Sequence, residues 1–80
     1  MRQVRVRYFA AFREAVGADA EDVSTAAATA GDLFAELARR HRQLAHEPAS
    51  LVAINDAMAR WDTPIRAGDE VLFFPPVAGG

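Results

Sequence analysis

Apolar and polar residues alternate at the start of the chain: Val4, Val6 and Tyr8 are separated by Arg5 and Arg7, a period of two that predicts an N-terminal strand with one wet face. Phe9, Phe12 and Val16 then fall at i, i+3 and i+7 and are followed by Gly17, which predicts a short helix closing on a left-handed glycine. Glu21 to Thr25, centred on Val23, reads as a short second strand. Leu33, Phe34, Leu37, Ala38, His41 and Leu44 make a stripe of helical period, so the main helix is expected to run to Leu44. Thr29 stands three residues before Asp32 at its start, where a hydroxyl cap and an acid both suit the positive end of a helix. LVAIN at 51–55 is rich in strand formers, and the turn pair Asn55-Asp56 leads into Ala57 to Arg60, a predicted hairpin. Pro64 and Gly68 punctuate a loop before VLFF at 71–74, whose unbroken apolar run predicts a strand covered on both faces. The order strand, helix, strand, helix, strand, strand, strand predicts an α+β fold close to a β-grasp. Its mixed sheet of four to five strands packs on one main helix, with one short helix besides.

Composition narrows the classes without changing that picture. Eighty residues, 51% apolar and 25% charged, make one small globular domain with no internal repeat and a single core. There is no cysteine, so a disulfide, a thiolate zinc site and a cysteine nucleophile are excluded, and any sulfur chemistry has to use sulfur brought from elsewhere. Apolar runs fall far short of the roughly 20 residues of a membrane span, and MRQVRVRYF alternates where a signal peptide would be continuously apolar. The expectation is a cytoplasmic chain with no membrane partner. All nine basic side chains are arginine, interleaved with eleven acids for a formal net charge of -2, so no basic stripe points to nucleic acid. Arg39, Arg40 and Arg42 cluster late in the main helix, where cations answer the negative end of the macrodipole, with an anion site as the alternative.

No side-chain constellation with its own chemistry emerges. His41 and His46 are five residues apart, off a shared helical face, with no acid at ligand spacing, and no metal site is expected. Ser24 and Ser50 lack a glycine elbow, and AGDE at 67–70 lacks the length and lysine of a phosphate loop. Trp61, beside Asp62, reads as a lid on the sheet edge, with an exposed partner anchor as the alternative.

The C-terminal VLFFPPVAGG is different. Pro75 and Pro76 forbid the strand from continuing and favour polyproline II, so the fold is expected to occupy 1–74, with 75–80 a flexible tail. From Val77 to Gly80 such a tail reaches about 13 Å. Gly79 and Gly80 fit either fraying or a passage too narrow for Cβ atoms; the apolar Phe73, Phe74 and Val77 beside them favour an end built to dock. Its one reactive group is the Gly80 α-carboxylate, ionised at neutral pH and a poor electrophile until another protein activates it.

GDEVLFFPPVAGG, with VRYFAAFREAVG near the N-terminus and TAGDLFAEL at the helix start, resembles the ubiquitin-like sulfur-carrier proteins that serve as small subunits of molybdopterin synthase. The resemblance covers essentially the whole chain and implies a ubiquitin-like β-grasp. It further implies that a ubiquitin-activating-like adenylyltransferase uses ATP and magnesium to adenylate Gly80, and that a sulfur donor protein then leaves a C-terminal thiocarboxylate. No cofactor would be held stably. The large subunit would supply the catalytic groups, in a complex of two copies of each subunit, and receive sulfur for the dithiolene of molybdopterin. Gly79, Ala78 and Val77 would thread the partners' channels; Phe74, Pro75, Pro76 and Val77 would form the apolar docking part, and Arg13 would add a polar contact. Three alternatives stay open: a sulfur carrier for thiamine or tRNA thiolation, an interaction module whose carboxylate never reacts, and isopeptide conjugation to other proteins as in ubiquitin.

Overall fold

The computed structural model describes residues 1–44 and 49–75. Seven elements follow one another: β1 (Arg2–Tyr8), α1 (Ala11–Val16), β2 (Ala20–Thr25), α2 (Ala30–Arg40), β3 (Leu51–Ile54), β4 (Ala57–Ala59) and β5 (Glu70–Phe74). The strands form one mixed sheet in the order β2-β1-β5-β3-β4, with β1 and β5 parallel and every other pair antiparallel. The element order predicted from the pattern is the one observed, and the architecture is a ubiquitin-like β-grasp.

Local chemistry accounts for the boundaries. The Thr29 hydroxyl accepts the Asp32 backbone N–H at 3.2 Å, capping α2 as expected. Gly17 ends α1 at φ 84°, the left-handed conformation that glycine adopts without a Cβ penalty. Asn55 and Asp56, at φ 52° and 69°, supply the two positive angles that a two-residue hairpin between β3 and β4 requires.

The core lies between one face of the sheet and α2. Ala30, Leu33, Phe34 and Leu37 of the helix pack toward Val4, Val6, Tyr8, Val23, Val52, Val71 and Phe73 of the strands. Phe73 is fully buried, with the Phe34 ring edge-on at 5.0 Å and Trp61 stacked on it at 5.9 Å. Trp61 thus closes the core beside the sheet, as the lid reading expects.

Three expectations are corrected. The main helix stops at Arg40 instead of reaching Leu44: His41 is its C-cap in an extended conformation, and the next turn brings Leu44 back into the core through Leu44 N–H donating to the His41 carbonyl at 2.9 Å. Phe9 takes no part in the buried face of α1; it precedes the helix and is 55% exposed. VLFF is not covered on both faces. Val71 and Phe73 are buried while Leu72 and Phe74 are only half-buried, because α2 covers one face of the sheet.

Candidate functional site

The strand period of two sorts each residue of β3, β4 and β5 to the core or to the outer face. Register then fixes which outer residues are neighbours. Leu51 pairs with Phe74, Ala53 with Leu72 on one side and Met58 on the other, so the outer half of the sheet over β5, β3 and β4 carries Phe74, Leu72, Leu51, Ala53 and Met58. Phe9, following β1, sets its ring against Phe74 at 5.5 Å, with its N–H donating to the Phe73 carbonyl at 3.2 Å. Leu51 is 52% and Met58 63% exposed. Contiguous exposed apolar surface of this kind marks a site of contact with another protein, a membrane or a ligand.

The neighbouring half of the same face is charged. Arg5 pairs with Asp22 at 3.0 Å, and Arg7 lies 3.7 Å from Glu70, all on well-exposed side chains. Exposed pairs of this kind contribute about 0–1 kcal/mol each, so they bound the apolar patch more than they hold the fold.

Phe74 ends β5 at the rim of the patch, and Pro75 follows outside the strand, half-buried. The patch therefore surrounds the root of the C-terminal segment. Phe73, included with Phe74 in the expected grip, turns the other way into the core. Arg13 lies on α1, which leaves β1 at the same end of the sheet, and its Nε is 3.6 Å from Asp19 Oδ1 with the side chain 56% exposed. Pro76, Val77, Ala78, Gly79 and Gly80 lie outside the described residues, as does His46.

Phe9, Leu51, Leu72 and Met58 were absent from the expected docking set. For Leu72 the signal is the apolar run VLFF itself, since with one long helix predicted a strand apolar on both sides leaves one side uncovered; Phe9, Leu51 and Met58 join it only through strand register.

A second polar cluster sits at the core's edge. The Tyr8 hydroxyl donates to Glu21 Oε2 at 2.6 Å, and His41 Nε2–H donates to the same oxygen at 2.8 Å. Burial by itself raises the Glu21 carboxyl, but these two hydrogen bonds and the charges of His41 and Arg40 outweigh it and hold the group below its ordinary value. Burial first, then the bond to Glu21 and its charge, push the Tyr8 phenol well above its usual range, so it remains a protonated donor. The sequence had offered His41 no acidic partner at ligand spacing; the fold supplies Glu21 from β2. One histidine, one acid and a phenol make a structural clasp between helix and sheet, and among the described residues no group of three or more His, Asp or Glu side chains is placed to hold a metal ion.

No helix among the described residues is long and apolar enough to cross a membrane. The chain is 40% identical over 80 residues to the molybdopterin synthase sulfur carrier subunit of Escherichia coli strain K12, an alignment spanning 96% of this chain and 99% of that one. Its fold matches the crystal structure of SAMP1 from Haloferax volcanii with a TM-score of 0.81 at 27% identity, covering 98% and 99% of the two chains. It also matches, with a TM-score of 0.64 at 25% identity over 98% and 99% of the chains, a chain in the complex of subunits 1 and 2 of molybdopterin-converting factor from Helicobacter pylori 26695. Residues 6–80, nearly the whole sequence, match the ThiS family, and the chain belongs to it.

Proposed function

We propose that this chain is the sulfur-carrying small subunit of a molybdopterin synthase, with Gly80 as the group that carries sulfur. The observation that carries the reading is the apolar outer face of β3, β4 and β5 gathered around the root of a segment that ends PPVAGG. Full-length similarity to a relative named for this role supports it. The face docks the large subunit, Arg13 adds a polar contact at the rim, and Val77, Ala78, Gly79 and Gly80 enter the partner's active site, where side chains near the end would obstruct passage. Pro75 and Pro76 restrict the free segment and so lower the entropy lost when it is ordered.

The chemistry follows from the weakness of a carboxylate as an electrophile. In a ubiquitin-activating-like adenylyltransferase, a Gly80 carboxylate oxygen attacks the α-phosphorus of magnesium-bound ATP, and pyrophosphate leaves. Hydrosulfide released by a donor protein then attacks the acyl carbon, the bond to the AMP phosphate oxygen breaks, and AMP departs while the proton passes to solvent, giving a thiocarboxylate. In the large subunit the sulfur transfers to the pterin precursor, and Gly80 ends as a carboxylate whose new oxygen comes from water. The carrier contributes position and sulfur, the partners contribute the acid and base groups, and the setting is the cytoplasm.

The test is mass spectrometry of the chain after incubation with its adenylyltransferase, ATP and a sulfide source. Replacement of oxygen by sulfur adds about 16 Da to the C-terminal peptide, the nucleophilic exchange expected of an activated acyl group. The loaded chain, mixed with the large subunit and the pterin precursor, is expected to yield the dithiolene product, which separates this role from thiamine or tRNA thiolation. A C-terminal peptide that never gains mass, under conditions that load an established carrier, would sink the proposal.

A further inference from the structure

We infer that Met58 is an oxidation-sensitive site on the docking face: a peroxide converts its thioether to the sulfoxide, which weakens docking of the large subunit and leaves the fold intact. The inference rests on the docking role proposed above and adds a modification to it. Met58 lies on β4, an edge strand of three residues, and points to the outer face with 63% of its surface exposed. Its cross-strand partner is Ala53, whose single methyl group shelters little of the sulfur. It belongs to neither the buried core nor the partly buried shell packed against it, so a change there costs the fold little.

The rest of the chain makes this thioether the exposed sulfur that matters. With no cysteine, no thiol is present to react first. The other methionine, Met1, is 90% exposed but precedes β1. Because β1 and β5 are parallel and Tyr8 pairs with Phe73, Met1 lies at the sheet end away from Phe74. Oxidation of Met1 therefore alters no docking surface.

In the reaction a sulfur lone pair attacks one oxygen of hydrogen peroxide. The O–O bond breaks as the S–O bond forms, and the departing oxygen leaves as water after proton transfer. Sulfur loses two electrons and peroxide gains them. The product places a strong acceptor among the apolar side chains of Leu51, Ala53 and Leu72, and burying an unpaired polar group of that kind weakens binding by about 5- to 100-fold. Flanking Leu51 and Leu72 offer it no hydrogen bond.

The experiment treats the full chain with hydrogen peroxide and measures affinity for the large subunit by calorimetry, beside thermal unfolding of the free chain. Sulfoxide formation and sulfur loading each add about 16 Da, so the site is assigned by peptide. Trypsin cutting after Arg42, Arg60 and Arg66 places Met58 in 43–60 and the C-terminus in 67–80. The expected result is mass gain on 43–60, affinity at least about 5-fold weaker, a thermal midpoint moved by less than about 2 °C, and recovery with methionine sulfoxide reductases. Met58→Leu keeps Met1 as its single thioether, and its affinity is expected to be the same before and after peroxide. Unchanged affinity of the oxidised wild type, or equal loss in Met58→Leu, overturns the inference alone. Failure of the untreated wild type to bind the large subunit overturns the docking role and this inference with it.

Discussion

Replacing Tyr8 by phenylalanine removes one oxygen from the clasp that ties β1, β2 and the end of α2 together. The ring keeps its place in the core, so the loss is the 2.6 Å hydrogen bond to Glu21, leaving the carboxylate held by His41 at 2.8 Å. A hydrogen bond to a charged group contributes about 1.5–3 kcal/mol. The Glu21 side chain is 25% exposed, so water partly replaces the missing donor and the low end applies, about 1.5 kcal/mol. For a domain of this size that lowers the thermal midpoint by about 6–12 °C. The pH dependence is the sharper signature. Glu21 titrates lower in the folded chain than its unfolded value of 4.5, so its contribution is present above about pH 4.5 and is lost as pH falls through the folded value. Tyr8→Phe removes one cause of that depression, so wild type and variant differ most near neutral pH and converge in acid. At the other extreme the Tyr8 phenol titrates higher folded than its unfolded value of 10.0, so wild type loses stability as pH rises past about 10 and the variant lacks that loss. Thermal melts followed by circular dichroism at pH 3, 7 and 10.5 measure all three. A drop below about 1 °C at neutral pH, or an equal drop at pH 3, would refute the reasoning.

Thr29→Ala deletes the cap on Asp32 N–H and is expected to cost about 1 kcal/mol in a urea titration, with no change in the slope of the transition. Phe73→Ala empties the position between Phe34 and Trp61 and should cost about 3–5 kcal/mol, leaving much of the chain unfolded at 37 °C by the loss of near-ultraviolet dichroism. Leu51→Asp, at a site 52% exposed, is expected to move the thermal midpoint by less than about 4 °C while weakening binding to the large subunit more than tenfold; an unchanged affinity would remove Leu51 from the docking face.

Local features were legible in the sequence wherever one residue's chemistry suffices. The alternation from Val4 to Tyr8, the Thr29 cap, the glycine that ends α1 and the Asn55-Asp56 turn each encode their own backbone geometry within a few residues. The element order and the β-grasp follow from their sum. The misplaced end of α2 has a long-range cause. A stripe of helical period cannot say where a helix stops when a side chain at its end finds a partner far along the chain, and His41 ends α2 where Glu21, twenty residues earlier, meets its ring.

By itself the sequence determined the strands, the helices and their order. Tertiary structure alone decided which side of VLFF faces the core, because an apolar strand has two equivalent faces until a helix covers one of them. That choice sends Phe73 inward and Phe74 outward. Strand pairing then brings Leu51, Met58 and Phe9, remote from one another in the chain, onto the surface around the root of the terminal segment. A contiguous patch is a property of register and burial, which no local period encodes.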